Sequence, residues 1–148
     1  MYQRTLDRQN NLLDNKAFLG RGWKFPPEFN RAHRGTKLSQ YEQDIRESLL
    51  ILLSTLRGER VMRPSYGTTV YDLLFEPLDL NVGTLVSEEV KRAILVHEPR
   101  VFVDQVTPNQ DPFAGFLELS IDYTVISTNT RYNLVYPFYL NEGTNAKP

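Results

Sequence analysis

The apolar spacing of this chain changes once, at Pro99, and that change limits what the chain can fold into. Before it, large apolar residues recur every three or four positions, as on one face of a helix; after it they recur every second position, as on one face of a strand. The first helical run carries Tyr41, Ile45, Leu49, Leu52, Leu53 and Leu56, and Ser39 with Glu42 reads as the capping box that starts it. Gly58 ends it near Arg57, since glycine takes the left-handed C′ conformation without a Cβ penalty. Pro64 and Gly67 mark a turn, and residues 69–75 supply one or two helical turns before Pro77 interrupts them. A second helix spans residues 82–97, with Val82, Leu85, Val86, Val90, Ala93 and Ile94 inward and Ser87, Glu88, Lys91 and Arg92 outward. Pro99 limits it, leaving Glu98 at or past its end.

The remainder reads as strands. Residues 100–106 form the first, followed by a loop with Pro108, Asn109, Pro112 and Gly115. Leu117, Leu119, Ile121, Tyr123 and Val125 alternate with polar residues over 116–126, a run without Gly or Pro that belongs at the centre of a three-strand meander. After a turn at 127–129, Tyr132, Leu134, Tyr136, Phe138 and Leu140 alternate again. Pro137 lies in this run and has no N–H to give a ladder, so the strand sits at a sheet edge. If the even positions pair with the central strand, then 131, 133, 135 and 139 face outward with a gap at 137. Such an edge, carrying Val135 and Tyr139, can accept a partner strand; alternatively Pro137 serves only to protect the edge from aggregation. The fold class is α+β, with two main helices packed on a small antiparallel meander.

Residues 1–37 read as an extended N-terminal arm ahead of an α+β domain at 38–148. Gly20, Gly22, Pro26, Pro27 and Gly35 break any period, and Phe18, Leu19, Trp23, Phe25 and Phe29 are isolated apolar anchors. Five such side chains in twelve residues do not float free, so the arm lies along its own domain or along a partner.

The composition removes several classes of function. A length of 148 residues suits one core, and a net charge of −1 provides no large positive field for nucleic acid. No run approaches the roughly 18 apolar residues of a membrane span, and residues 1–15 lack the apolar stretch of a signal peptide, so the chain is expected in the cytosol or on a route that needs no signal. With no cysteine there is no disulfide, thiol nucleophile or cysteine-bound zinc. His33 and His97 have no ligand spacing around them, and Gly20-Arg21-Gly22 is no phosphate loop, so neither metal nor cofactor is expected. Glu59 and Glu98 are the candidate carboxyl pair of a glycoside hydrolase, yet both are flanked by arginines, which spoil a general acid.

Four pieces in order carry a resemblance: Phe18-Leu19-Gly20-Arg21-Gly22 with Phe25-Pro26; the run from Gly58 through Arg60, Arg63, Pro64 and Tyr66 to Gly67; Glu98-Pro99-Arg100-Val101; and Tyr136-Pro137-Phe138. Together they resemble the lysozyme-like baseplate wedge family of contractile phage tails, type VI secretion systems and extracellular contractile injection particles. The resemblance implies a structural subunit, not an enzyme, assembled in the cytoplasm into the baseplate of a tail-like particle, with six copies around the axis. Its implied partners are the sheath protein, joined through a shared β-sheet, and other wedge proteins, whose central helical bundle meets Glu98, Pro99 and Arg100; tube or hub proteins are further candidates. The residues expected at these contacts are Glu98, Pro99, Arg100, Arg60, Arg63 and Tyr66 on one surface, Phe18, Trp23 and Phe25 on the arm, and Tyr132, Leu134, Val135, Tyr136, Pro137 and Tyr139 on the edge strand.

Residue chemistry fits these expectations independently. A helix end, a proline and a strand fix where Glu98 and Arg100 point, and an arginine fork can hold a partner's carboxylate. The competing readings are an ion pair of Glu98 with Arg60 or Arg63, and a solvated arginine face at 57, 60 and 63. Two other functions remain in view: a peptidoglycan-cleaving, lysozyme-like hydrolase and a regulatory adaptor on the same scaffold.

Overall fold

The computed structural model describes residues 16–31, 34–73, 80–111 and 116–139. The chain divides into two compact units, Met1–Ser48 and Leu49–Pro148.

In the first unit a 3₁₀ turn at Ala17–Leu19 precedes four short strands, β1 (Arg21–Trp23), β2 (Phe29–Asn30), β3 (Gly35–Thr36) and β4 (Leu38–Gln40). They form two separate antiparallel pairs, β1 with β4 and β2 with β3, so the described part of the expected arm is a pair of small ribbons. Gly22 stands opposite Ser39 in the first ribbon, and a Cβ on Gly22 would come within 2.6 Å of the Asp44 carboxylate. Of the five apolar anchors Leu19 is buried, while Phe18, Trp23, Phe25 and Phe29 are exposed.

Helix α1 covers Glu42–Ser54. The expected capping box does not form: Ser39 is a ladder residue of β4, and its buried hydroxyl has no hydrogen-bond partner among the described residues. The helix starts instead at Tyr41, which sits in the left-handed region at φ 60° and accepts the Ile45 N–H at 3.2 Å. It also ends earlier than Gly58 would place it. Thr55 turns its hydroxyl back to Ile51 O at 2.6 Å, and the chain leaves the helix to pair with Thr68, through Thr68 N–H to Thr55 O and Arg57 N–H to Thr68 O. Leu56 therefore falls outside the helix and is exposed.

In the second unit α2 (Val70–Leu73) supplies the expected short helix as far as it is described; Phe75, Pro77, Pro112, Gly115 and Leu140 lie outside the described residues, as does His33 of the first unit. Helix α3 covers Leu80–His97 and buries Val82, Val86, Val90, Ala93 and Ile94, but Leu85, expected inward, is half exposed. None of the helices among the described residues is long and apolar enough to cross a membrane.

The sheet is β5 (Val101–Asp111), β6 (Phe116–Val125) and β7 (Thr130–Tyr139), in the order β5-β6-β7, all antiparallel, with the proline-free strand at the centre. Leu117, Leu119, Ile121, Tyr123 and Val125 of β6 are buried, as are Leu134 and Phe138 of β7. β5 is longer than expected and runs through Pro108 and Asn109. A bulge between Val103 and Gln105 switches its parity, so Val101 and Val106 are both buried although one has an odd and the other an even number.

A single hydrogen bond fixes the pairing parity of the whole sheet. Ile126 N–H donates to Arg100 O at 3.0 Å, so even-numbered residues on the central strand face β5 and odd-numbered ones face β7. Pro137 is opposite Glu118, and Pro108 is opposite Leu119. Both prolines therefore direct their missing donor to an outer edge, and the ladder passes through each without loss.

The turn at Gly67 leaves no room for a side chain: at φ 113° an added Cβ would lie 2.4 Å from Thr55 O. Gly67→Ala is expected to cost on the order of 3 kcal/mol, read as a lowered urea midpoint with an unchanged slope. Burial also pushes the Tyr136 phenol well above the ordinary tyrosine range, with Tyr71 adding to the shift. The neutral phenol is the form the fold favours, so stability is intact below the ordinary tyrosine pKa of about 10 and falls as pH rises above it. Parallel pH titrations of tyrosinate absorbance and circular dichroism check this: Tyr136→Phe is expected to flatten the alkaline loss.

Candidate functional site

The expected contact residues near the end of α3 come together around one turn. Glu98 N–H donates to Ile94 O at 2.8 Å, the last helical bond, and Val101 N–H donates to Glu98 O at 3.3 Å. Pro99 is exposed at the apex, while Glu98 is only 3% exposed. Arg100 reaches back over the proline and holds Glu98 bidentately, Nε to Oε1 at 2.6 Å and Nη2 to Oε2 at 2.7 Å. This partner differs from Arg60 and Arg63, the ones the sequence offers for Glu98. A spacing of two residues across a proline gives no sign of the pairing, because it depends on the chain entering β5 directly after the turn. The fork stiffens the junction of helix and strand.

Next to it lies the loop that comes after α1. Arg60 stacks over the Tyr66 ring, Cζ 4.0 Å from its centroid, and the Tyr66 and His97 rings are 5.0 Å apart. His97 donates from Nε2 to Ser65 O at 3.0 Å and so fastens this loop to α3. Burial raises the Tyr66 phenol, with Arg60 opposing and Glu98 reinforcing the shift. The structure thus gathers Arg60, Tyr66, Pro99 and Arg100 around the buried Glu98, with His97 as the residue that the sequence pattern did not single out for this site. Arg63 is exposed on the same loop. Arg57 reaches Glu89 at 3.3 Å, and Glu89 also takes Arg92 at 2.6 Å.

The second surface is the sheet edge. On β7 the side chains of Arg131, Asn133, Val135 and Tyr139 are exposed on the open face, and their main-chain groups face outward by the parity above. The inner face is braced by rings: Tyr123 stacks on Tyr132 at 5.8 Å, and Phe138 packs against Tyr136 at 4.7 Å and Tyr71 at 5.0 Å. Among the described residues β7 pairs with β6 alone. The other edge differs. Val106 O, which points outward from β5, lies 3.3 Å from the Ser87 hydroxyl of α3, whose nearer acceptor is Gly83 O at 2.9 Å, and Pro108 leaves no donor beside it. α3 also passes close to Pro108 at Gly83, where an added Cβ would stand in ordinary contact, 3.5 Å from Pro108 Cγ. α3 thus lies against β5 at Val106 and Pro108, while among the described residues no strand is added to β7.

The third surface is in the first unit. Trp23 is opposite Leu38 in the ribbon, and both are exposed, as is Phe18. Phe25 is fixed through its N–H to Glu47 Oε2 at 2.9 Å, while Gln43 Nε2 holds the other carboxylate oxygen at 2.9 Å.

The carboxyl pair considered for hydrolysis is engaged in other bonds. Both Glu98 oxygens carry the Arg100 fork, and Glu59 Oε2 accepts the Leu56 N–H at 3.0 Å within its own loop. No group of three acidic or histidine side chains able to hold a metal occurs among the described residues.

Comparison with known proteins accords with this architecture. The chain is similar over 74% of its length, at 45% identity and a TM-score of 0.67, to 99% of a Geobacter sulfurreducens protein that carries the name tail lysozyme. It is similar over 87% of its length, at 27% identity and a TM-score of 0.63, to 92% of a chain in the six-fold symmetrised baseplate of the anti-feeding prophage. A chain of the type VI secretion baseplate complex shares the fold at 15% identity and a TM-score of 0.55, over 64% of this chain and 89% of that one. No curated protein matches the sequence. The family of baseplate wedge protein gp25 matches residues 39–130, more than half of the chain and with it α1, the Glu98-Pro99-Arg100 turn and the central strand. The chain belongs to that family, the structural wedge subunits of contractile injection baseplates.

Proposed function

We propose that this wedge subunit joins its baseplate to the first ring of sheath by accepting a strand of the sheath protein along the outer edge of β7. The observation that carries the reading is the asymmetry of the sheet: α3 lies against β5 at Val106 and Pro108, whereas β7 offers outward main-chain groups at 131, 133, 135 and 139. Each main-chain bond contributes about 1 kcal/mol, and bonds of one ladder share a load applied along the strands. The Glu98-Pro99-Arg100 turn with Arg60, Arg63 and Tyr66 holds the wedge's helical bundle, and exposed Phe18 and Trp23, with Phe25 beside them, give a second hold on the wedge. Six copies surround the axis, as the six-fold baseplate of a 27% identical relative suggests, and tube or hub proteins lie within reach of the inner ring. The chain is assembled in the cytoplasm, and its work is mechanical, without catalysis or cofactor. The engaged oxygens of Glu98 and Glu59 support this despite the lysozyme name of one relative.

A proline at an outward position tests the strand directly. Val135→Pro removes one outward N–H and leaves the bonds to β6 in place, as Pro137 already does. Baseplates carrying it are expected to assemble normally but to appear in electron micrographs without sheath, while Val135→Ala keeps the sheath. Normal sheaths on the proline variant would contradict the reading. On the wedge side, Arg100→Ala strands the buried Glu98 carboxylate and is expected to cost about 3 kcal/mol in urea unfolding and to lower incorporation into baseplates.

A further inference from the structure

Val61 and Met62 are 94% and 90% exposed, side by side at the tip of the loop between Gly58 and Tyr66. Two adjacent apolar side chains so fully in water call for an explanation when the loop that presents them is held rigid. Gly58 N–H donates to Pro64 O at 2.8 Å, Arg63 N–H to Arg60 O at 3.3 Å, and Tyr66 N–H to Arg63 O at 3.1 Å. Glu59 clasps Leu56 N–H, and His97 clasps Ser65 O. The tip cannot fold back onto its own chain without breaking these bonds, and its conformation is set before any partner arrives.

We infer that this loop is a preformed plug whose Val61–Met62 tip seats in an apolar socket with an acidic rim on another protein of the wedge. The acidic rim follows from charge. Arg60 and Arg63 bracket the apolar pair in sequence, and over residues 59–63 these two guanidinium groups outnumber the single carboxylate, Glu59, which accepts the Leu56 N–H, so the tip segment is net positive. Rigid presentation means that little order is lost on docking, which favours a protein socket. A lipid surface fits less well, because two side chains bury too little apolar area for a lasting anchor and the chain carries a net charge of −1. The inference rests on the chain's place in a wedge and is independent of the β7 edge.

Met62 is itself the probe, since the only other methionine is Met1. Dilute hydrogen peroxide, with the sulfoxide read by mass spectrometry, is expected to oxidise Met62 in the free full-length chain about tenfold faster than in purified baseplates. Equal rates would overturn the inference. The variant V61D/M62D is expected to melt within about 2 °C of the parent, because both side chains already stand in water, yet to be recovered in baseplates about tenfold less. Normal recovery would overturn the plug, and R63E with unchanged recovery would overturn the acidic rim. Co-sedimentation with vesicles of phosphatidylserine and phosphatidylcholine that V61D/M62D abolishes would overturn the protein socket in favour of a membrane. A self-associated free chain that V61D/M62D returns to monomer would replace the wedge socket with a second copy. Baseplates of the Val135→Pro variant separate the two readings. Met62 protected in the absence of sheath supports the wedge socket whatever the fate of the strand, and protection lost together with the sheath would move the socket to the sheath and overturn the assignment.

Discussion

A strand residue directs its N–H and C=O to one neighbour only, and this alternation governs the molecule from Arg100 onward. Once Ile126 donates to Arg100, every later residue of the sheet has its direction assigned, and both prolines fall where no donor is needed. The two outer edges then diverge because their neighbours in the chain differ. β5 follows α3 after one turn and lies against it, with the Ser87 hydroxyl within 3.3 Å of the Val106 carbonyl. β7 has rings beneath it and, among the described residues, no strand beyond it. An edge with one gap resists indiscriminate aggregation, and the strand proposed to pair with it would have to tolerate a missing bond at that position.

The same economy of parts appears at the turn after α3. A buried carboxylate is stable only with a partner, and Arg100 supplies one from two residues away, which locks the helix to the strand that begins the open sheet. Through His97 and Ser65 the loop after α1 is tied to that same junction. The sheet, the turn after α3 and the loop after α1 are therefore joined by short, hydrogen-bonded connections. This stiffness suits the mechanical role proposed for the subunit.

Much of this is legible in the residues. The apolar period reveals α3 and the three strands, and Pro137 alone identifies the edge and its parity, because a missing donor leaves few places in a sheet. Misreadings arise where tertiary contacts override a local signal. Ser39 with Glu42 has the spacing of a capping box, but pairing with Gly22 holds Ser39 in a ribbon. Gly58 looks like a helix stop, yet Thr68 draws the chain out of α1 earlier. Pro108 suggests a loop, because a proline on the second edge cannot be told from one that ends a strand until the register is known. At the candidate site the sequence shows which residue types gather but not the Glu98 to Arg100 fork, nor that His97 binds Ser65, since both depend on the path of the backbone.

The most direct measurement is residue-resolved amide hydrogen exchange along β7, in the free chain and in the assembled particle. In the free chain the amides of Tyr132, Leu134, Tyr136 and Phe138 should be protected and those of Arg131, Asn133, Val135 and Tyr139 should exchange rapidly; with sheath attached, the second set should slow as well. Outward amides that are already slow in the free chain, or that stay fast beneath an attached sheath, would contradict the coupling.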